Sequence, residues 1–265
     1  MNDLKTIRRT VPDSIGGYVL AGGRSSRMGQ DKALLELAGK PLVLRAVQKL
    51  GQLCKQVAIA GNRPDLRIYA PVVEDRHPGC GPLSGIEAAL AHSCYDWNLF
   101  LAVDMPLMPA AWLRVLINQA FISSASATPP VAIVHTVDGR EQPLCALYHR
   151  DLLIGITQAV REGNCKITRA VHTAIAALAV HRGCTAESLL KNYTYTSQSS
   201  SHPGSESPGS EIVVEGKDYS TSLLGEGGAL QITAAQTAIR HLWFANINLP
   251  EDLDLAAAHA DALDS

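Results

Sequence analysis

The chain has 265 residues, 46% of them hydrophobic and 18% charged, with a formal net charge of −2 at pH 7. Such a balance supports a globular core and offers no broad basic surface to nucleic acid; no apolar run approaches the ~18 residues that suggest a membrane span. Neither nucleic acid nor membrane is therefore expected as a partner, and a cytoplasmic location is expected. Six cysteines, Cys54, Cys80, Cys94, Cys145, Cys165 and Cys184, are scattered with no Cys-x-x-Cys pair. Zinc and iron–sulfur binding are not expected, and reduced thiols are.

Residues 1–15 read as a polar leader without the apolar segment of a signal peptide. Tyr18-Val19-Leu20-Ala21 reads as a short buried strand running into a glycine-rich loop. Leu42 to Leu50 carries apolar residues at Val43, Ala46, Val47 and Leu50, a helical period. Gln56–Ala60 reads as the next strand, ending at Gly61-Asn62, and Pro71-Val72-Val73 as a third, ending at Glu74-Asp75. Gly85 to Ala91 looks helical, and Leu99–Val103 is an apolar strand that stops at Asp104. A helix around Pro109–Ala120 follows, with proline at a tolerated first-turn position, then a strand at Val131–Val134. Alternating strands and helices predict an α/β domain with a mainly parallel central sheet. In such sheets ligands bind beyond the carboxyl ends of the strands, where Asn62, Asp75 and Asp104 fall. Residues 194–230 are rich in serine, glycine and proline. They read as a flexible insertion, because so few apolar groups cannot offset the entropy of ordering.

The string Leu20-Ala21-Gly22-Gly23-Arg24-Ser25-Ser26-Arg27-Met28-Gly29-Gln30-Asp31-Lys32 has the chemistry of a phosphate grip. Glycines let the backbone turn tightly against a ligand, bare N–H groups line an anion site, and arginine and lysine supply charge. It fits neither G-x-x-x-x-G-K-[ST] nor G-x-G-x-x-G. It resembles instead the signature of the nucleotidyltransferases that activate molybdopterin, above all the molybdenum cofactor guanylyltransferases. Gly22-Gly23 and Asp31-Lys32 are similar to the guanylyl enzymes; the cytidylyl relatives more often begin Ala-Gly.

The resemblance implies a Rossmann-like three-layer α/β/α fold of the nucleotide-diphospho-sugar transferase type, as one nucleotidyltransferase domain over residues 16–265. It implies transfer of GMP from GTP to molybdopterin with release of pyrophosphate. Transfer to a phosphate acceptor needs cations, a metal and in-line placement but no strong base, in keeping with a chain that shows no Ser-His-Asp or Cys-His arrangement. Leu20, Ala21, Gly22, Gly23, Lys32, Asn62, Asp75, Gly81 and Asp104 would bind the nucleotide, with Lys32, Arg27 and Asp104 catalytic. Lys32 would offset charge on the reacting phosphates, though by itself it reads equally as a solvated loop lysine. Arg27 suits the same phosphates through its planar fork. Asp104, in Asp104-Met105-Pro106, would hold Mg²⁺, a metal that takes one or two carboxylates plus substrate phosphates; otherwise it caps the next helix.

Asp75 can accept two hydrogen bonds from guanine, and Gly79-Cys80-Gly81-Pro82-Leu83-Ser84-Gly85 resembles the family segment beside the nucleoside. Asn62 alone is a common turn residue. Asp138-Gly139-Arg140-Glu141-Gln142-Pro143 resembles the acceptor-side segment, or is a plain β-turn. Asn246 and Asn248, in Asn246-Ile247-Asn248-Leu249-Pro250-Glu251, resemble the C-terminal string near the pterin. Leu249 stands where the family has threonine, so the helix beginning at Pro250 lacks that cap unless Asn248 substitutes. No histidine, His77 included, is assigned a role. GTP and molybdopterin are the expected partners, with molybdenum-insertion or molybdoenzyme-maturation proteins as further candidates. Two alternatives stand beside this reading: a nucleotidyltransferase with another base or acceptor (CTP with molybdopterin, or a sugar phosphate), and a non-catalytic nucleotide-binding regulator.

Overall fold

A computed structural model describes residues 15–22, 31–123, 126–195 and 231–264. Residues 1–14 of the leader, Gly23, Arg24, Arg27 and the segment 196–230 lie outside the described residues, while Ile15, expected as the last residue of the leader, opens the first strand.

The central sheet is built from β1 (Ile15–Leu20), β4 (Gln56–Ala60), β5 (Val72–Val73), β6 (Trp97–Ala102), β7 (Ala132–Val137), β8 (Arg140–Glu141), β9 (Cys145–His149) and β10 (Leu190–Tyr195). A two-residue hairpin of β2 (Glu36–Leu37) and β3 (Lys40–Pro41) lies apart from it. The strand order is β10-β7-β9-β6-β1-β4-β5, with β8 pairing onto β7. β9 runs antiparallel to both β6 and β7, β8 is antiparallel to β7, and the remaining pairings are parallel. The sheet is thus mainly parallel, as expected.

Every residue of β1 and of β6 is buried. That follows from cover on both faces, which is why these strands read as continuous apolar runs. Side chains alternate between the two faces. Ile15 and Val19 enter a core shared with α1 (Leu42–Gly51), α3 (Ala110–Ser123) and the C-terminal Trp243, Phe244 and Ile247. Tyr18 and Leu20 enter a second core with α2 (Pro82–His92), α4 (Leu153–Arg161) and α5 (Ile167–Arg182). The result is helix, sheet, helix in three layers. Short helices α6 (Ala186–Leu189), α7 (Ala234–Ala238) and α8 (Pro250–Ala258) complete the described elements.

Two differences from the sequence reading have plain causes, and the turn it offered at Asp138-Gly139 is present. The segment expected to begin an insertion at Thr194 instead continues β10, whose Thr194 and Tyr195 pair with Thr136 and Val137; edge pairing overrides the polar composition. Asp138-Gly139 is a hairpin turn between β7 and β8, with φ of +47° and +76°, the left-handed pair that Asp-Gly favours. Cys80 and Cys165 are joined in a disulfide, against the expectation of reduced thiols, while Cys54, Cys94, Cys145 and Cys184 are free. The two partners are 85 residues apart in sequence. They meet because α2 and α4 pack together on one face, which spacing alone does not show.

Candidate active site

Parallel pairing aligns the carboxyl ends of the central strands. Leu20 of β1 stands opposite Ala60 of β4 and Ala102 of β6, and Val73 of β5 stands opposite Ala60. Ala21-Gly22, Gly61-Asn62, Glu74-Asp75 and Val103-Asp104 therefore leave the sheet along one edge. The crossover from β1 to β4 is close. Gly61 has φ +137°, and a Cβ there would sit 3.1 Å from the backbone of Gly22. Glycine is required at this position.

Lys32 opens a 3₁₀ turn, Lys32–Leu34, whose first residue follows the capping Asp31; the Asp31 carboxylate accepts the Ala33 N–H at 3.0 Å. This turn aims Lys32 back at the sheet edge. Its Nζ lies 3.3 Å from Oδ2 of Asp104 and donates to Oδ1 of Asn248 at 2.7 Å. Both ends of that ion pair are about one-fifth exposed, at 18% and 21%. Asp104 in turn accepts the Ile247 N–H at its backbone carbonyl, 2.9 Å away. The C-terminal segment is thereby tied to the end of β6, and Asn248 is placed beside Lys32. Asn246 is exposed, and its carbonyl accepts a long contact from the Asn248 amide at 3.5 Å.

Leu249 gives the helix at Pro250 no side-chain cap, as the missing threonine implies. Asn248 does not substitute for threonine. The Asp252 carboxylate reaches back and accepts the N–H groups of Asn248 and Leu249 at 2.7 and 2.8 Å. This is the acidic half of a capping box, and it leaves the Asn248 side chain available to Lys32.

A cavity of about 550 Å³ adjoins this edge. Gly22, Asn62, Asp75 and Gly81 line it, together with Asp31, Arg63, Pro64, Asp65, Pro78 and Gly79. The Asn62 side chain accepts the Asp75 N–H at 3.0 Å, so it shapes the segment that carries Asp75. Oδ1 of Asp75 is buried and without a hydrogen-bond partner among the described residues. Burial first, and then the charge of Glu87, hold the Asp75 carboxyl above the usual carboxylate range. A buried acceptor left unpaired at a cavity wall is costly unless a ligand donates to it.

Sequence reasoning missed Arg63. Its guanidinium is buried and forks onto Asp31, at 3.0 and 2.5 Å, and onto Asp65, at 2.9 and 2.6 Å. It fixes the residue before Lys32 to the loop after β4. The only available signal was its place directly after Asn62. His77 was also passed over; its Nδ1 is buried, 3.5 Å from Glu87 of α2.

Among the described residues no three His, Cys, Asp or Glu side chains gather as a metal site, and no helix is long and apolar enough to cross a membrane. Asp104 instead offers a single hard carboxylate. That donor set suits a cation that takes its remaining oxygens from phosphates and water.

Residues 17–178 match the model of the MobA-like NTP transferase domain. The molybdenum cofactor guanylyltransferase of Vibrio cholerae is 33% identical over 168 residues, covering 62% of this chain and 79% of the relative. That of Serratia proteamaculans is 34% identical over 161 residues, covering 58% and 78%. Among solved structures, molybdopterin-guanine dinucleotide biosynthesis protein A from Archaeoglobus fulgidus superposes with a TM-score of 0.57 at 20% identity, covering 92% of this chain and 97% of that one. At that identity the likeness speaks for the fold.

Proposed function

The chain belongs to the family of MobA-like NTP transferase domains, and on that footing we propose that it moves GMP from GTP onto molybdopterin, releasing pyrophosphate and forming the guanine dinucleotide cofactor. The observation that carries this reading is the meeting of Lys32, Asp104 and Asn248 at the strand ends, beside the cavity that holds Asp75. A cation, a hard carboxylate and an amide from three distant parts of the chain converge where a triphosphate would cross the sheet edge.

In this reading the nucleoside enters the cavity. The Asp75 carboxylate, which lines the cavity, accepts from guanine, whose N1–H and amino group offer two adjacent donors; cytosine has no such pair. Ala21 and Gly22 let the backbone approach the phosphates, with Gly23 and Arg27 continuing that loop. Lys32 offsets charge that develops on the reacting phosphates, a task that a prepositioned cation does without reorganising. A bound Mg²⁺ would be held by Asp104 and the triphosphate, neutralising phosphate oxygens. Asn248 holds Lys32 on its acceptor side, and with Asn246 it faces the molybdopterin. The acceptor phosphate is already ionised at neutral pH, so no side chain need act as a strong base.

Nucleotide-dependent pyrophosphate release tests the reading. Release should require molybdopterin and a divalent metal and should prefer GTP over CTP. Replacing Asp75 should narrow that preference, whereas replacing Lys32 or Asp104 should lower turnover with either base.

A further inference from the structure

Glu87 is a charged residue in the middle of a helix that otherwise packs with small and apolar side chains. It is fully buried in α2, between Ile86 and Ala88, and its Oε2 has no hydrogen-bond partner among the described residues. A helix facing a sheet gains nothing from a carboxylate here, because a buried charge is costly unless paired. Its neighbours suggest what it does instead. Oε1 accepts from the Thr157 hydroxyl of α4 at 2.9 Å and from Arg76 at 3.4 Å, and Oε2 lies 3.5 Å from Nδ1 of His77. Arg76 and His77 directly follow Asp75 in the chain.

Asp75 is thus gripped from both sides. Before it, Asn62 accepts its N–H. After it, Arg76 donates to Glu87 and His77 Nδ1 lies close enough to pair with it when protonated. Beyond that, Ser84 donates to the His77 carbonyl at 2.7 Å and accepts the Cys80 N–H at 3.2 Å, stapling the rest of the loop to the first turn of α2. The buried unpaired atoms Asp75 Oδ1, His77 Nδ1 and Glu87 Oε2 all lie in this one region. Glu87 is the fully buried charge among these anchors.

We propose that Glu87 is a positioning residue for nucleobase recognition: by anchoring Arg76 and His77 it sets the direction in which the Asp75 carboxylate faces the cavity. The proposal rests on the reading that Asp75 meets the base. Glu87 does not touch the nucleotide; it acts through Asp75 and so bears on which base binds.

The test is equilibrium binding of GTP and CTP, with Mg²⁺, to the full chain and to Glu87→Gln, Asp75→Asn and the double variant. Glu87→Gln keeps size and the Thr157 contact and removes the charge. It should weaken GTP binding at least about 3-fold, within the roughly 2- to 150-fold span of a coupling between residues in one network, and leave CTP nearly unchanged. In the Asp75→Asn background the same change should have no further effect on GTP. A loss of packing alone would weaken both nucleotides and add to the Asp75 effect. His77→Ala, which removes the less exposed of the two neighbours of Glu87, should shift the GTP to CTP ratio in the same direction and serves as the second variant if Glu87→Gln does not fold. If Asp75→Asn narrows the ratio while Glu87→Gln or His77→Ala leaves it within twofold, the positioning role is overturned and the base reading stands. If Asp75→Asn leaves the ratio unchanged, both fall.

Discussion

Lys32 is held in place by two partners, an Asp104 carboxylate oxygen at 3.3 Å and an Asn248 amide oxygen at 2.7 Å. A lysine side chain gives up much rotamer freedom to sit in one place, and here the cost is met by groups that belong to the same site. Lys32→Ala is expected to lower kcat roughly 100- to 1000-fold, the range for removing one prepositioned charge-stabilising group, with little change in melting temperature, since the ion pair is partly exposed and contributes little to stability. A comparable fall in melting temperature with intact kcat would mark Lys32 as structural. His135 offers a second prediction at this scale. It is fully buried, accepts from the Trp112 indole at 3.0 Å, and burial pushes its imidazole down to about 4. The unfolded chain takes up a proton near pH 6.5, and the folded chain does not until about pH 4. The contribution of His135 therefore falls as pH drops from 6.5 towards 4 and levels off below that. Its full extent is about 3 kcal/mol. Urea unfolding at pH 7 and pH 4.5 should show a smaller loss in His135→Phe than in the parent, and equal losses would contradict the assignment.

At the scale of elements, the site depends on how short segments are fastened to the sheet. The loop after Asp104 is held from below by Lys49 of α1, which is buried and donates to the carbonyls of Pro106, at 2.8 Å, and Met108. Asp264, next to the last residue of the chain, lies 3.3 Å from that ammonium. It also accepts the Ala110 N–H at 3.0 Å and the Gln236 amide at 2.9 Å. Burial lowers the Lys49 ammonium from its ordinary value, and Asp264 works against that shift. Asp264→Asn leaves a buried cation without its counter-charge and is expected to cost about 3 kcal/mol of stability, read as a lower urea midpoint. A change within experimental error would mean that the two carbonyls suffice. None of this was legible in the sequence. Lys49 lies inside the helical period of Leu42 to Leu50 but is not among its apolar positions, and nothing local connects it with Asp264 or with the Asp104 loop. The reverse holds for the cap that Asp31 gives Ala33, which arises within one turn, whereas its fork with Arg63 comes from the loop after β4. Leu249 shows a third case: the missing threonine was visible and no side chain replaces it, whereas the bond from Asp252, the third residue of α8, back to the Leu249 N–H was not visible. An element's start can be read from local residues when the partner is local, and fails when the partner is brought by packing.

Across the whole molecule, the strand-and-helix alternation down to Val134 carried the architecture, because buried parallel strands announce themselves as apolar runs ending in polar residues. The placement of Asn62, Asp75 and Asp104 follows from that alone, since each lies just past the end of a strand. What the alternation could not carry was the return of the chain. β9 runs against its neighbours, β10 closes the edge beside β7, and the residues around Asn248 travel back to Lys32. These are pairings over long separations, and periodicity within a window has no access to them. Arg63 and Glu87 escaped notice for the same reason, being charges whose partners come from other elements. The proposed function makes the sheet edge a guanylyl-transfer site, with Asp75 choosing the base and Lys32 and Asp104 serving the phosphates. Pyrophosphate release from GTP and from CTP, each with Mg²⁺ and with and without molybdopterin, tests this most directly. The account predicts release that depends on molybdopterin and is strong with GTP and weak with CTP. Equal or stronger release from CTP, or no release with molybdopterin present, would contradict it.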